Sequence, residues 1–128
     1  MDIIIAKQFR IPLKTKFGLE LIESSDIIYF FIENSKVNAQ LVEGLIFRVY
    51  HTLTELESYL SEMHFYRCHT ARLINLRHVK KYNHKTCIIE LTNNLSVNVA
   101  CYRKVKFNKL INSMLPPPPP IYANQQRE

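Results

Sequence analysis

Hydrophobic and polar positions alternate with a period of two along most of this chain, the pattern of strands buried on one face. Phe9, Ile11 and Leu13 alternate with Arg10, Pro12 and Lys14, so residues 8–14 read as a half-buried strand. Pro12 has no N–H to give and places that strand at a sheet edge. Lys16-Phe17-Gly18 turns the chain into a second alternating strand, Leu19 to Ile22, and residues 23–26 make a polar corner. The run Ile27-Ile28-Tyr29-Phe30-Phe31-Ile32 is apolar throughout and rich in β-branched and aromatic residues, which marks a strand covered on both faces at the centre of the core. Residues 33–36 break it as a hairpin loop, Val37 to Val42 returns, Glu43-Gly44 turns, and Leu45 to His51 gives one more strand.

The period then changes. Thr52 and Glu55 have the spacing of a capping box, and Leu53, Leu56, Leu60 and Met63 make one apolar stripe, which predicts an amphipathic helix at about 53–63. Alternation resumes at Phe65, with Phe65, Arg67 and His69 on one side and Tyr66, Cys68 and Thr70 on the other. A corner follows, then Arg72 and the sequence Leu73-Ile74-Asn75. Residues 77–82 read as a short basic strand, Cys87 to Leu91 and Leu95 to Val99 as a hairpin pair, and 102–114 as a C-terminal helix. Pro116 to Pro120 forbids continuation, because each ring fixes φ and removes a donor. The expectation is one mainly β, antiparallel domain over residues 1–115 and a flexible Pro-rich tail over 116–128.

Charge sharpens this outline. Residues 1–62 hold six Lys/Arg and nine Asp/Glu, whereas residues 63–128 hold eleven and two, so a net −3 half is followed by a net +9 half. Basic charge gathered in one half of a domain is the footprint expected for a polyanion. No apolar run is long enough to span a membrane, and the N-terminus lacks the basic start of a signal peptide. Three cysteines without CxxC spacing argue against a disulfide framework or a zinc site and fit a reducing cytoplasm. The five histidines lack paired metal spacing, and no GxSxG, P-loop or carboxylate pair is present, so no enzyme, metal, cofactor or small-molecule substrate is expected.

The spacing Phe65-x-Arg67-x-His69 followed by Leu73-Ile74-Asn75, the strand opening Asp26-Ile27-Ile28-Tyr29 and the closing Ala100-Cys101-Tyr102-Arg103 together resemble the LytTR DNA-binding domain. That family is the output module of LytR/AgrA-type bacterial response regulators. The resemblance runs from about Phe9 to Ile111. It implies antiparallel sheets whose loops and strand ends enter successive major grooves of double-stranded DNA, with contacts from three places: Lys36 to Asn38, the corner His69-Thr70-Ala71, and Arg103. Two departures stand out. Family members with Ser-Lys-His-Arg in the first loop contrast with Ser35-Lys36-Val37-Asn38 here, and Thr70-Ala71 replaces the usual pair after the motif histidine, which implies a different target sequence. The family's receiver domain has no counterpart before Met1, so the chain reads as a stand-alone form whose control is expected to come from elsewhere.

The candidate DNA-binding residues are therefore Lys36 and Asn38 in the first loop, Arg67, His69, Thr70 and Arg72 about the corner, and Arg103 with Lys104 at a helix start. Arg67 and Arg103 can grip guanine or a phosphate, His69 can donate to a phosphate, and exposed helix-start amides favour an anion. Each has a structural alternative, Arg67 above all, as an arginine paired with Glu33 or another carboxylate. Cys68, on the face opposite Arg67, reads as a packed thiol. The leading expectation is a sequence-specific regulator binding promoter repeats as two copies. The second is a protein-interaction module, with the Pro tract and acidic half docking a partner such as a membrane-bound inhibitor. RNA binding is third, disfavoured for want of an exposed aromatic cluster.

Overall fold

The computed structural model of the chain describes residues 10–114. The first two residues of the strand expected at 8–14, and the proline tract with its tail, lie outside the described residues. The element order is β1 (Arg10–Thr15), β2 (Gly18–Glu23), β3 (Ile27–Glu33), β4 (Lys36–Leu41), β5 (Ile46–Val49), α1 (Leu53–Leu60), β6 (Phe65–His69), β7 (Arg72–Asn75), β8 (Val79–Asn83), β9 (Ile88–Leu91), β10 (Leu95–Asn98) and α2 (Lys104–Ser113). The apolar run becomes β3, the middle strand of a five-stranded antiparallel sheet ordered β5-β4-β3-β7-β6. The hairpin β1–β2 and the three-stranded sheet β10-β9-β8 are separate. The expected mainly β, antiparallel architecture with two helices is the one this chain adopts.

β3 is apolar on both sides because each side has its own core. One face packs Ile27, Phe30, Val37, Ala39, Val49 and Leu73 against β1 (Ile11, Leu13) and against Leu53, Leu56 and Leu60 of α1. The other packs Ile28, Cys68 and Ile74 against Ile89, Leu91, Val97 and Phe107 of the small sheet and α2. A register shift between Ile27 and Tyr29 makes this possible: the extra residue of a bulge turns Ile28 and Tyr29 to the same side.

Local chemistry sets the ends. Thr52 Oγ1 accepts the Glu55 N–H at 3.0 Å, and a Glu55 carboxylate oxygen accepts the Thr52 N–H at 3.1 Å, the capping box read from the sequence. The helix expected to 63 stops as α-helix at Leu60 and finishes in a 3-10 turn, Ser61–Met63, closed by left-handed His64. The strand expected from 77 starts two residues late. Asn75, 1% exposed, donates Nδ2–H to the carbonyls of Ser24 (3.1 Å) and Ile27 (2.9 Å) and accepts the Arg77 N–H at 3.0 Å, which bends Leu76–His78 into a 3-10 turn. A buried amide is tolerated there because its polar atoms are satisfied.

His51 latches the β1–β2 hairpin to this frame. Its Nε2 accepts the Lys14 N–H at 3.0 Å, its Nδ1 lies 3.7 Å from a Glu55 carboxylate oxygen, its ring meets Tyr59 edge-on, and its side chain is 8% exposed. Burial pushes the imidazole below its ordinary 6.5, with the Lys14 charge in the same direction and Glu55 opposing. In the unfolded chain His51 therefore takes its proton at higher pH than in the folded one. The unfolded state binds more protons in between, so stability present above pH 6.5 is lost as the pH falls toward the lowered folded value. Thermal unfolding from about pH 8 to about pH 5 should show a fall of several degrees. His51→Gln, which keeps an acceptor and cannot charge, should flatten it; an unchanged slope in that variant would rule the latch out.

Candidate nucleic-acid interface

The three segments that carry the candidate residues meet at one end of the five-stranded sheet. The β3–β4 turn has positive φ at both Asn34 (54°) and Ser35 (63°), a two-residue turn that closes on the pair Glu33–Lys36. The β6–β7 corner lies at the same end, since Arg72 pairs with Phe31 and the Ile32 N–H reaches the Ala71 carbonyl at 3.0 Å. The segment before α2 is tied alongside: Ala100 N–H donates to Cys68 O at 2.9 Å, Arg103 Nη1 donates to Arg67 O at 2.8 Å, and the hydroxyls of Thr70 and Tyr102 are 2.9 Å apart. Strand spacing of about 4.8 Å puts β4 and β6, three strand steps apart, at roughly 14 Å.

Arg67 is bonded within the protein, as its structural alternative has it. Its Nε and Nη2 donate to the Thr70 carbonyl at 3.1 and 2.6 Å, while Nη1 donates to Thr54 Oγ1 and Glu57 Oε1 of α1, both at 3.1 Å. The side chain is 11% exposed, and its carboxylate is Glu57 rather than Glu33. A guanidinium bonded on both edges is a brace from helix to corner. Arg67→Ala should lower stability by about 1–3 kcal/mol, the cost of leaving such acceptors unpaired. It should weaken every duplex alike through a loosened Thr70 and leave the salt dependence of binding unchanged, with Arg67→Lys failing to restore either, because one ammonium cannot span both sites. A shallower salt dependence in Arg67→Ala would instead make it a phosphate contact.

His69 does not share the Arg67 face, contrary to simple alternation. The register shifts between Arg67 and His69, so the bulge at Cys68 turns His69 to the other side of the sheet. There it lines a cleft of about 200 Å³ with Arg72, Ser96, Val97 and Asn98. Its Nδ1 accepts the Ala71 N–H at 3.1 Å, so the neutral ring carries its proton on Nε2 and offers a donor. Cys68 is fully buried and its thiol is pushed up to about 12 by that burial, which disfavours the thiolate.

The start of α2 also differs. A 3-10 turn, Cys101–Arg103, precedes it, and the amides of Arg103 and Lys104 already donate to the carbonyls of Ala100 and Cys101. An anion seat built on those two amides is therefore not available. What the turn presents is Tyr102, 70% exposed, with the Arg103 guanidinium 5.2 Å above its ring. Hydrogen bonds from Thr70 and then Arg103 hold the phenol below its ordinary range. Arg103 Nε is buried without a partner. Tyr102 is not among the residues the sequence nominates for the site. Its one signal there is a place in the Ala100–Arg103 closing element, where the arginine draws attention first. Lys36 is exposed, Lys104 is half-buried, and Asn38 is half-buried with its Nδ2 3.3 Å from the Lys36 carbonyl.

Among the described residues no helix is long and apolar enough to cross a membrane, and no cluster of His, Cys, Asp or Glu is placed to hold a metal. No curated protein matches the chain in sequence. The solved LytTr DNA-binding domain of a putative methyl-accepting/DNA response regulator from Bacillus cereus is similar at 27% identity, over 80% of this chain and 96% of that one, with a TM-score of 0.68. The family model described as the LytTr DNA-binding domain matches residues 18–112, most of the chain and all of the rim, with β1 outside it. By that match the chain belongs to the LytTR DNA-binding domain family.

Proposed function

We propose that this chain binds double-stranded DNA sequence-specifically and regulates transcription in the bacterial cytoplasm. The reading rests on convergence: three segments far apart in sequence gather cationic and polar side chains on one rim of a rigid sheet. Lys36, Asn38, Thr70, Arg72, Arg103 and Lys104 are the contact residues, His69 donates from beside the corner, and Arg67 positions that corner. Phosphate contacts set register, and the loop side chains read base edges. Two copies occupy half-sites about one helical turn apart. Selection of bound duplexes from a random library, followed by salt titration, tests this. A recurrent motif is expected, bound with a log–log salt slope of about −0.9 for each phosphate neutralised. Equal binding of selected and scrambled duplexes would defeat the claim of specificity.

One observation favours a protein contact as well. Phe17, Leu45 and Tyr50, all about half exposed or more, line one flank made by the hairpin and β5. A groove of about 490 Å³ there carries Lys16 and Glu20, of opposite sign, at its edge. Apolar surface of this extent suits a protein partner, and mixed charge at the edge suits a second copy of this chain, whose two-fold contact pairs unlike charges. Sedimentation of the protein on a two-site duplex, with Phe17→Glu as comparison, checks it: loss of cooperative occupancy is expected, and unchanged occupancy would mean that the flank plays no part in pairing.

A further inference from the structure

We infer that Arg48, outside the three expected contact segments, is a phosphate contact, and that the duplex is held by a cross-strand row at the loop end of the five-stranded sheet as well as by its loops. The inference rests on the duplex reading above and extends it to a strand at the sheet's edge. Cross-strand register aligns five residues in one row. Arg48 of β5 pairs with Asn38 of β4, Asn38 with Phe31 of β3, Phe31 with Arg72 of β7, and Arg72 with His69 of β6. All five point away from α1. Their neighbours Val37, Ala39, Val49 and Leu73 fill the core on the α1 side, and strand alternation turns the row the other way. Phe31 is stacked on Tyr29 at 5.0 Å and forms the floor.

Each polar member of this row is at least partly accessible, and Arg48 is exposed. Arg48 is also oriented: its guanidinium lies 4.4 Å over the ring of Tyr50, two residues on and on the same face. Such stacking limits the rotamers of a long side chain while leaving its N–H groups outward. Among the described residues the ion pairs are His51–Glu55 and Arg67–Glu57, so neither Arg48 nor Arg72 has a carboxylate partner there. Two guanidiniums thus stand on the side away from α1, Arg48 at the sheet edge and Arg72 beside β10 with Nη1 on the Ala71 carbonyl, three strand steps or roughly 14 Å apart, at the spacing that places them on phosphates across a major groove about 12 Å wide. Asn38 lies between them, where base edges are reached.

The test uses the full chain and its selected duplex. Arg48→Ala should bind about tenfold more weakly at moderate salt, equally on preferred and scrambled sequences, and its log–log salt slope should be shallower by about 0.9. Arg48→Glu should be weaker still. Lys80→Ala, an exposed cation of β8 away from the row, is the control and should change neither quantity appreciably. Melting temperatures should stay within a degree or two, because Arg48 is exposed and its ring contact is with exposed Tyr50. Wild-type affinity and slope in Arg48→Ala, with the parent binding normally, would overturn this inference alone. Failure of the parent to bind any duplex would instead overturn the reading on which it rests.

Discussion

Replacing Phe107 by alanine is expected to lower the melting temperature by about 10–20 °C, a larger loss than removing any of the polar braces. Phe107 is fully buried, with ring centroids 4.8 Å from Tyr82 in an edge-on contact and 5.5 Å from Tyr66. Among the described residues of α2 it alone is fully buried; Leu110 and Ile111 pack only partly against the same core, and Val105 is 68% exposed. Truncating a buried phenylalanine costs about 3–5 kcal/mol, a large fraction of the roughly 5–15 kcal/mol available to a domain. The loss should extend to function, because α2 continues directly from the turn bearing Tyr102 and Arg103. Amide hydrogen exchange should show residues 101–113 opening before the rest of the chain. A melting temperature within about two degrees of the parent would mean that α2 is held by something other than this ring.

How far this molecule can be read from its sequence depends on whether a side chain's direction follows from period alone. The continuous apolar run at 27–32 identifies the central strand correctly, since a strand without a polar face must be covered twice, and both coverings exist. The capping box at Thr52 and Glu55 is legible for a related reason, being a local bond between neighbours. Period fails at the bulges. Strict alternation puts Arg67 and His69 on one face, and the single unpaired residue at Cys68 sends them to opposite faces, Arg67 to α1 and His69 to the β10 side. Nothing in the sequence between Phe65 and Thr70 marks that bulge. The role of Arg67 is hidden for another reason: its partners Thr54 and Glu57 are on a helix ten or more positions earlier, and only the fold brings them near. Arg48 escapes notice because the cross-strand row has no linear signature.

The Arg103 guanidinium is restrained before any duplex arrives. Its Nη1 is tethered to the Arg67 carbonyl and its Cζ lies 5.2 Å from the centre of the exposed Tyr102 ring, which together limit the orientations of the guanidinium. A restrained guanidinium favours bidentate recognition of a guanine edge over a phosphate, which any mobile cation satisfies. Arg103→Ala should therefore cost about 1–3 kcal/mol on the preferred duplex, up to roughly a hundredfold, and little on a scrambled one. Arg103→Lys should likewise keep the scrambled affinity without restoring the preference. Both variants should unfold within about 1 kcal/mol of the parent, the value of the one backbone hydrogen bond lost. The deciding quantity is the ratio of the two affinities at fixed salt. A ratio that falls toward one makes Arg103 a reader of bases. A ratio that holds while both affinities drop, with a salt slope shallower by about 0.9, moves it to the phosphates and leaves Thr70, Asn38 and Lys36 to carry the sequence preference.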